Sequence, residues 1–324
     1  MNDPLAVSPS ALPVARLLSG RAIDGEGDVV RALGLLRAEG LLAGLDDPRA
    51  HHEVLIEIAA ADLSLARLAE GHTDAHAIAR ELGHPLQEGA YGVWAAEPPG
   101  KSLRAERTAD GWRLSGTKLY ASGARVIDRA LVTAGPLLFD VDVRSAKISP
   151  VDGTWNAVGM ADSGSVDVVF DAAPGLPVGG EKAYVERPGF ALGGIRVAAV
   201  WLGGAIGCAR AYAHRLRKKA SVDAHEASSL GRVASVCAAM RESVAASIGT
   251  DDPVLAGLHV RRVVEAGVEE VLRECGRAGG SSLMVFDRAH ARRVADLTVY
   301  VRQHHGAKDD ERLGRLYLES SCSS

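Results

Sequence analysis

Aromatic side chains are scarce in this chain of 324 residues, at 4% of the sequence, although 47% of it is apolar. Ala, Leu, Val and Gly supply most of that apolar content. This excludes a core built on large rings and suits closely packed helices with small side chains at their contacts. Cysteine is rare too. Cys208, Cys237, Cys275 and Cys322 stand apart with no Cys-x-x-Cys pair, so neither a disulfide framework nor a cysteine zinc site is expected, and the pattern reads as a reduced, cytoplasmic protein. No uninterrupted apolar run reaches about 18 residues, and the N-terminus lacks a charged-then-apolar leader, so neither a membrane span nor a signal peptide is expected. An excess of one charge is also missing. The 37 Lys and Arg stand against 41 Asp and Glu, for a net charge of −4, which argues against a general nucleic-acid binder. The basic run Arg215 to Lys219 reads as a solvated helix end. There is no internal repeat and no low-complexity tract, and the Ser-rich tail from Ser320 is expected to be disordered.

What is present falls into three blocks. Residues 11–85 carry helical spacing: Val29, Leu33 and Leu36 recur on one face, then Ile56, Ala59, Leu63 and Ala66 on another. Gly40, Gly44 and the Asp46-Asp47-Pro48 turn separate these helices, and Gly83-His84-Pro85 closes the block. Residues 89–175 change character. Trp112-Arg113-Leu114 follows the turn signal Asp110-Gly111, and two apolar runs, 130–134 and 137–141, flank Gly135-Pro136, with another at 166–170. From Pro188 the pattern is helical again, over 190–219, 227–248, 253–278 and 287–305, with breaks at 249–253 and 276–282. The expected fold is therefore an α+β multidomain one: an N-terminal helical domain (1–88), a central antiparallel β domain (89–186) and a C-terminal four-helix bundle (187–324).

Four segments, in this order, resemble the acyl-CoA dehydrogenase family. Ile58 to Ala66 is similar to the family's helix with an A-x-x-D-x-S-x-A run. Trp94-Ala95-Ala96-Glu97-Pro98, continuing to Ser102, is similar to its T-E-P-x-x-G-S flavin loop. The segment from Gly111 to Gly123, GWRLSGTKLYASG, resembles G-x-x-L-x-G-x-K-x-W-I-T-N-G. Pro188-Gly189-Phe190 opens a long Ala/Gly helix, as the family's bundle does.

The resemblance implies a flavin, FAD, at the junction of the β domain and the bundle, or FMN for a monooxygenase-like member. It places Ser122 near flavin N5, keeps an aromatic wall at Tyr120, matches the loop serine with Ser102, and sets Trp94 and Ala96 in the flavin loop, where Ala96 lacks the family's hydroxyl. Gly279-Gly280 matches a turn that approaches the cofactor's adenosine half from a neighbouring subunit, which implies a homodimer or homotetramer. The implied reaction is α,β-dehydrogenation of an acyl thioester, with electrons passed to an acceptor that the sequence does not identify.

Two departures bear on that reaction. The family's base is a Glu about eight residues after an Arg-Asp pair. Here Ala295-Asp296 occupies the place of the pair, and counting on gives His304, followed by His305 and Gly306. A neutral His can take a proton. A base on another helix, such as Glu242, is the alternative. The family's R-x-x-F-G motif, whose Arg holds the pyrophosphate, is replaced by Ala220-Ser221-Val222-Asp223-Ala224-His225, with Lys218 or Lys219 as a partial substitute. Weak flavin binding, or none, is thus among the expectations. So are two other outcomes on the same fold: a reduced-flavin-dependent monooxygenase, and a non-catalytic relative. His72 and His76, four apart, have metal-binding spacing but no third ligand, and the run Ala198 to Gly207 reads as close helix packing rather than a phosphate-binding turn.

Overall fold

The computed structural model describes residues 3–97 and 102–320. Pro98 of the flavin-loop resemblance and the tail beyond Ser320 lie outside them. Helices α1 (Leu12–Leu18), α2 (Glu26–Ala38), α3 (Pro48–Ala61) and α4 (Leu63–Glu81) come first. The Asp-Pro turn starts α3 as its chemistry dictates: Pro48 sits at the first helical position and the Asp47 carboxylate accepts from the N–H groups of Arg49 (3.1 Å) and Ala50 (3.3 Å). Asp62 ends α3 and caps α4, accepting from Leu65 N at 2.7 Å.

Strands β1 (Tyr91–Trp94), β2 (Leu103–Thr108), β3 (Gly111–Ala121), β4 (Arg129–Ala134), β5 (Leu137–Asp142), β6 (Ile148–Val151) and β7 (Val166–Pro177) follow. They lie in the order β1-β4-β5-β7-β3-β2, with β6 on β7. The sheet is not purely antiparallel, as the sequence led us to expect. β1 runs parallel to β4, because the chain passes from one to the other through the remainder of the sheet and a turn rather than a hairpin.

A short helix α5 (Ala183–Glu186) leads into α6 (Phe190–Arg217), α7 (Ala224–Ala246), α8 (Pro253–Phe286) and α9 (Arg288–Tyr300). A fifth bundle helix, α10 (Ala307–Ser320), follows where four were expected. Its first turn carries Asp309 and Asp310, which favour a helix N-terminus. The break expected at 276–282 is instead a kink inside α8 at Gly280, with φ 61°.

α6 is the central element. By length and apolarity alone it could cross a membrane, but it packs on α3 and α8 with Trp201, Leu202, Ala205 and Ile206 fully buried. Its glycines permit this. A Cβ on Gly203 would stand 2.6 Å from Ala59 Cβ, and one on Gly207 2.6 Å from the Ala60 carbonyl oxygen. Gly203→Ala is expected to lower unfolding free energy by about 1–3 kcal/mol through overpacking, measured by urea titration; an unchanged midpoint would show that α3 yields freely.

Candidate functional site

The site is built where α4, the first strand and the end of β3 meet. A register shift in the β3–β7 pairing between Lys118 and Ala121 turns Tyr120 outward, at φ 56° and 57% exposed. Ser122, just past the strand, faces inward and is buried. Its hydroxyl accepts from Ser165 Oγ at 2.9 Å, and its carbonyl accepts from Trp94 Nε1 at 3.0 Å. Gly123 follows at φ 73° and donates its N–H to the Ser163 carbonyl at 2.9 Å. Ser122, Arg67 and Gly71 of α4, and Gly92 of β1 line one cleft of about 180 Å³.

Arg67 brings charge to this cleft. It pairs with Glu70 one turn on, and its Nε–H is buried with no hydrogen-bond acceptor. Further along the same face of α4, Asp74 pairs with Arg196 of α6 and lies 3.8 Å from Arg187, which itself pairs with Glu81 at 3.2 Å. Burial pushes the Glu70 carboxyl up, against the opposing pull of Arg67. The Tyr300 hydroxyl, buried near Arg67, is also raised by burial.

Tyr300 leads to the second group. Its ring meets Trp201 edge-on at 6.5 Å, and Trp201 meets the His304 ring in the same way at 6.5 Å. Arg261 Cζ stands 4.8 Å from the centre of the Trp201 ring. His304 follows α9 and one short turn, with its side chain buried rather than projecting from an exposed helix end. Its Nδ1 is 3.5 Å from the Asp309 carboxylate, and neither ring nitrogen has a hydrogen-bond partner. Burial, then the Arg261 charge, holds its pKa below the usual histidine value, so the ring is neutral at pH 7.

The residues singled out from sequence do not converge on a single pocket. Ser122 lines the cleft, and Trp94 is buried behind it with its N–H already committed. Ala96 and Ser102 are exposed, flanking the stretch 98–101, and Tyr120 is open to solvent. Gly279 is buried in α8 with its carbonyl accepting from Arg215, and Gly280 forms the kink. Glu242 is exposed on α7, and Lys219 is tied to Glu226 at 2.6 Å. Lys118, fully buried, donates to the Thr133 carbonyl at 2.8 Å and to Glu97 at 3.1 Å, fastening the start of the flavin-loop segment to β4.

Arg67, Glu70 and Asp74 escaped the sequence reading. They stand in phase with Leu63 on the core face of α4, and charges at core positions of an amphipathic helix are the signal that could have found them.

The histidines of α3 and α4 are structural. His51 Nε2 bonds Thr73 Oγ1 at 2.9 Å, and His72 Nδ1 accepts from Tyr91 N at 3.2 Å, which a protonated ring could not do. No metal-binding cluster exists among the described residues. Burial lowers His51 and His72 to about 3 and His52 to about 4. In the unfolded chain these groups bind protons near pH 6.5. Each therefore withdraws stability as pH falls below 6.5 toward its folded value, at up to about 1.4 kcal/mol per pH unit. In NMR titrations their ring signals are expected to stay neutral from pH 8 to 5; a midpoint near 6.5 for any of them would contradict the burial argument.

No family profile matches the chain, and no curated protein matches it in sequence. Solved structures do match. KijD3 in complex with FMN and dTDP-3-amino-2,3,6-trideoxy-4-keto-3-methyl-D-glucose is 18% identical, with 98% of this chain and 97% of that one covered at a TM-score of 0.78. TdsC from Paenibacillus sp. A11-2, with FMN and indole, is 20% identical over 91% and 90%, at 0.71. Butyryl-CoA dehydrogenase from Megasphaera elsdenii is 14% identical over 97% and 99%, at 0.78. The chain thus has the acyl-CoA dehydrogenase fold, with its N-terminal helices, sheet and bundle all included in the match.

The residues present fit a flavin in kind. Arg67 offers a buried N–H with no acceptor, Ser122 a hydroxyl on the same cleft, and Tyr120 an exposed ring at the end of β3. The space fits it in part: about 180 Å³ is below the roughly 300–1,000 Å³ of small-molecule pockets, so Ser122 and Arg67 can enclose only one edge of a three-ring system.

Proposed function

We propose that this protein is a flavin-dependent oxidoreductase of the acyl-CoA dehydrogenase fold, working as a reduced-flavin-dependent monooxygenase with FMN. The observation that carries this reading is His304. Where dehydrogenation of a thioester needs a carboxylate to remove a proton, the chain has a neutral imidazole with unpartnered nitrogens beside Trp201, Tyr300 and Asp309. Two fold relatives hold FMN, and TdsC is a dibenzothiophene monooxygenase, which supports the same reading. Bound flavin would supply two-electron chemistry and activation of oxygen. Around it, Ser122 and Arg67 would hold the ring edge, Tyr120 would flank it, and His304 would move a proton to or from the substrate. The apolar Val285 and Phe286, exposed beyond the α8 kink, support a homodimer or homotetramer.

A second reading, FAD-dependent dehydrogenation of an acyl thioester, is favoured by Glu70, a buried carboxylate with a raised pKa. Absorbance separates the two. The monooxygenase reading expects a colourless purified protein that binds reduced FMN and then consumes oxygen. Stable yellow protein whose 450-nm band (about the oxidised-flavin maximum) bleaches anaerobically with butyryl-CoA would replace it with dehydrogenation. A protein that takes up neither flavin would be a non-catalytic relative.

A further inference from the structure

Arg67 lines the Ser122 cleft with its guanidinium only partly satisfied. Nη1 pairs with Glu70, while the Nε–H is buried with no acceptor. A buried donor left unpaired costs about 1–3 kcal/mol. Closing the gap by packing is prevented by two glycines: a Cβ on Gly71 would already stand 3.4 Å from Arg67 Nη1, and one on Gly92 2.7 Å from Ile127 Cδ1. Burial also pushes the Glu70 carboxyl toward its neutral form, which leaves the guanidinium incompletely balanced. The cleft is therefore short of an acceptor and short of negative charge at the same point.

Resting on the flavin reading above, we infer that Arg67 makes this a site for reduced flavin in preference to oxidised flavin. An oxidised flavin ring is neutral. Taking up two electrons and one proton leaves it with one negative charge, spread over its nitrogen- and oxygen-bearing edge. A guanidinium in a water-poor cleft stabilises that charge far more than it stabilises the neutral ring. The other end of the cofactor does little to offset the difference. The bundle has no pyrophosphate arginine at Ala220 to His225, and Lys219 is held by Glu226. Affinity is thus set mainly at the ring, where the two redox states differ.

The test uses the full chain in three forms: wild type, Arg67→Lys, and the double variant Arg67→Met/Glu70→Gln, which removes both charges so that no buried carboxylate is left alone. Each is titrated with oxidised FMN, and anaerobically with dithionite-reduced FMN, and the bound fraction is read by ultrafiltration. Wild type is expected to bind reduced FMN at least about tenfold more tightly, equivalent to a rise of about 30 mV in the two-electron potential of the bound flavin. Arg67→Lys is expected to keep most of that ratio and the double variant to lose it. Equal binding of the two forms by wild type overturns the inference whatever the variants do, as does a folded double variant that keeps the wild-type ratio. Wild type that binds neither form removes the flavin reading itself, and the inference with it.

Discussion

Replacing His304 with alanine is expected to lower turnover with reduced flavin and oxygen about 100-fold while leaving flavin affinity unchanged. The imidazole is neutral because burial and Arg261 both oppose its protonation. Asp309, 3.5 Å from Nδ1, favours the tautomer with its proton on that nitrogen, which leaves Nε2 free to accept one. Because the folded pKa lies below 6.5, the base is fully available at neutral pH. The activity it supports should persist from pH 8 to 6.5 and decline only in more acid solution. Asp309→Asn should lose less activity than the alanine variant, since it removes an orienting charge and keeps the proton acceptor. An alanine variant with wild-type turnover, measured by oxygen uptake, would assign His304 a packing role against Trp201 alone.

Arg196→Met is expected to destabilise the fold by about 3 kcal/mol, the lower end of the range for breaking a buried ion pair. Both partners are nearly inaccessible, with side-chain exposures of 9% for Arg196 and 9% for Asp74. The methionine fills much of the arginine's volume, so the main loss is the stranded Asp74 charge. Arg187, at 3.8 Å, compensates in part, which sets the expectation low in the range. Adding Asp74→Asn should therefore return more than half of the lost stability. Urea unfolding of the single and double variants measures this coupling, and strictly additive losses would mean that the pair is not electrostatically linked.

The parts of this fold legible in the sequence are those governed by local chemistry. Asp47-Pro48 starts a helix because a carboxylate cap and a fixed φ leave few alternatives. Asp110-Gly111 lies in the β2–β3 hairpin, and Gly135, at φ 58°, turns β4 into β5. The parallel pairing of β1 with β4 was not legible, because four residues carry too short a pattern to reveal a partner nearly forty positions away. α10 was missed because its charged face hides a weak apolar one. The candidate site divides in the same way. Ser122, Tyr120 and His304 could be named from a motif and a count along the chain. Arg67 could not, since its meaning comes from α6 and α9 closing over α4, and a single charged residue in a helical stretch ordinarily faces water. Asp62 shows a motif gaining its reason from structure: it caps α4 and pairs with Arg292 of α9.

The placement of α6 bears on how the chain comes apart. This helix presses glycines against α3 on one side and Trp201 toward α9 on another, while a continuous apolar cluster joins Val14, Trp94 and Val264. Neither flanking helical segment owns it. Excising either one would strip α6 of a whole wall and leave a long greasy rod in water. The three blocks seen in the sequence are therefore not detachable modules, and heat should melt them together in a single cooperative event.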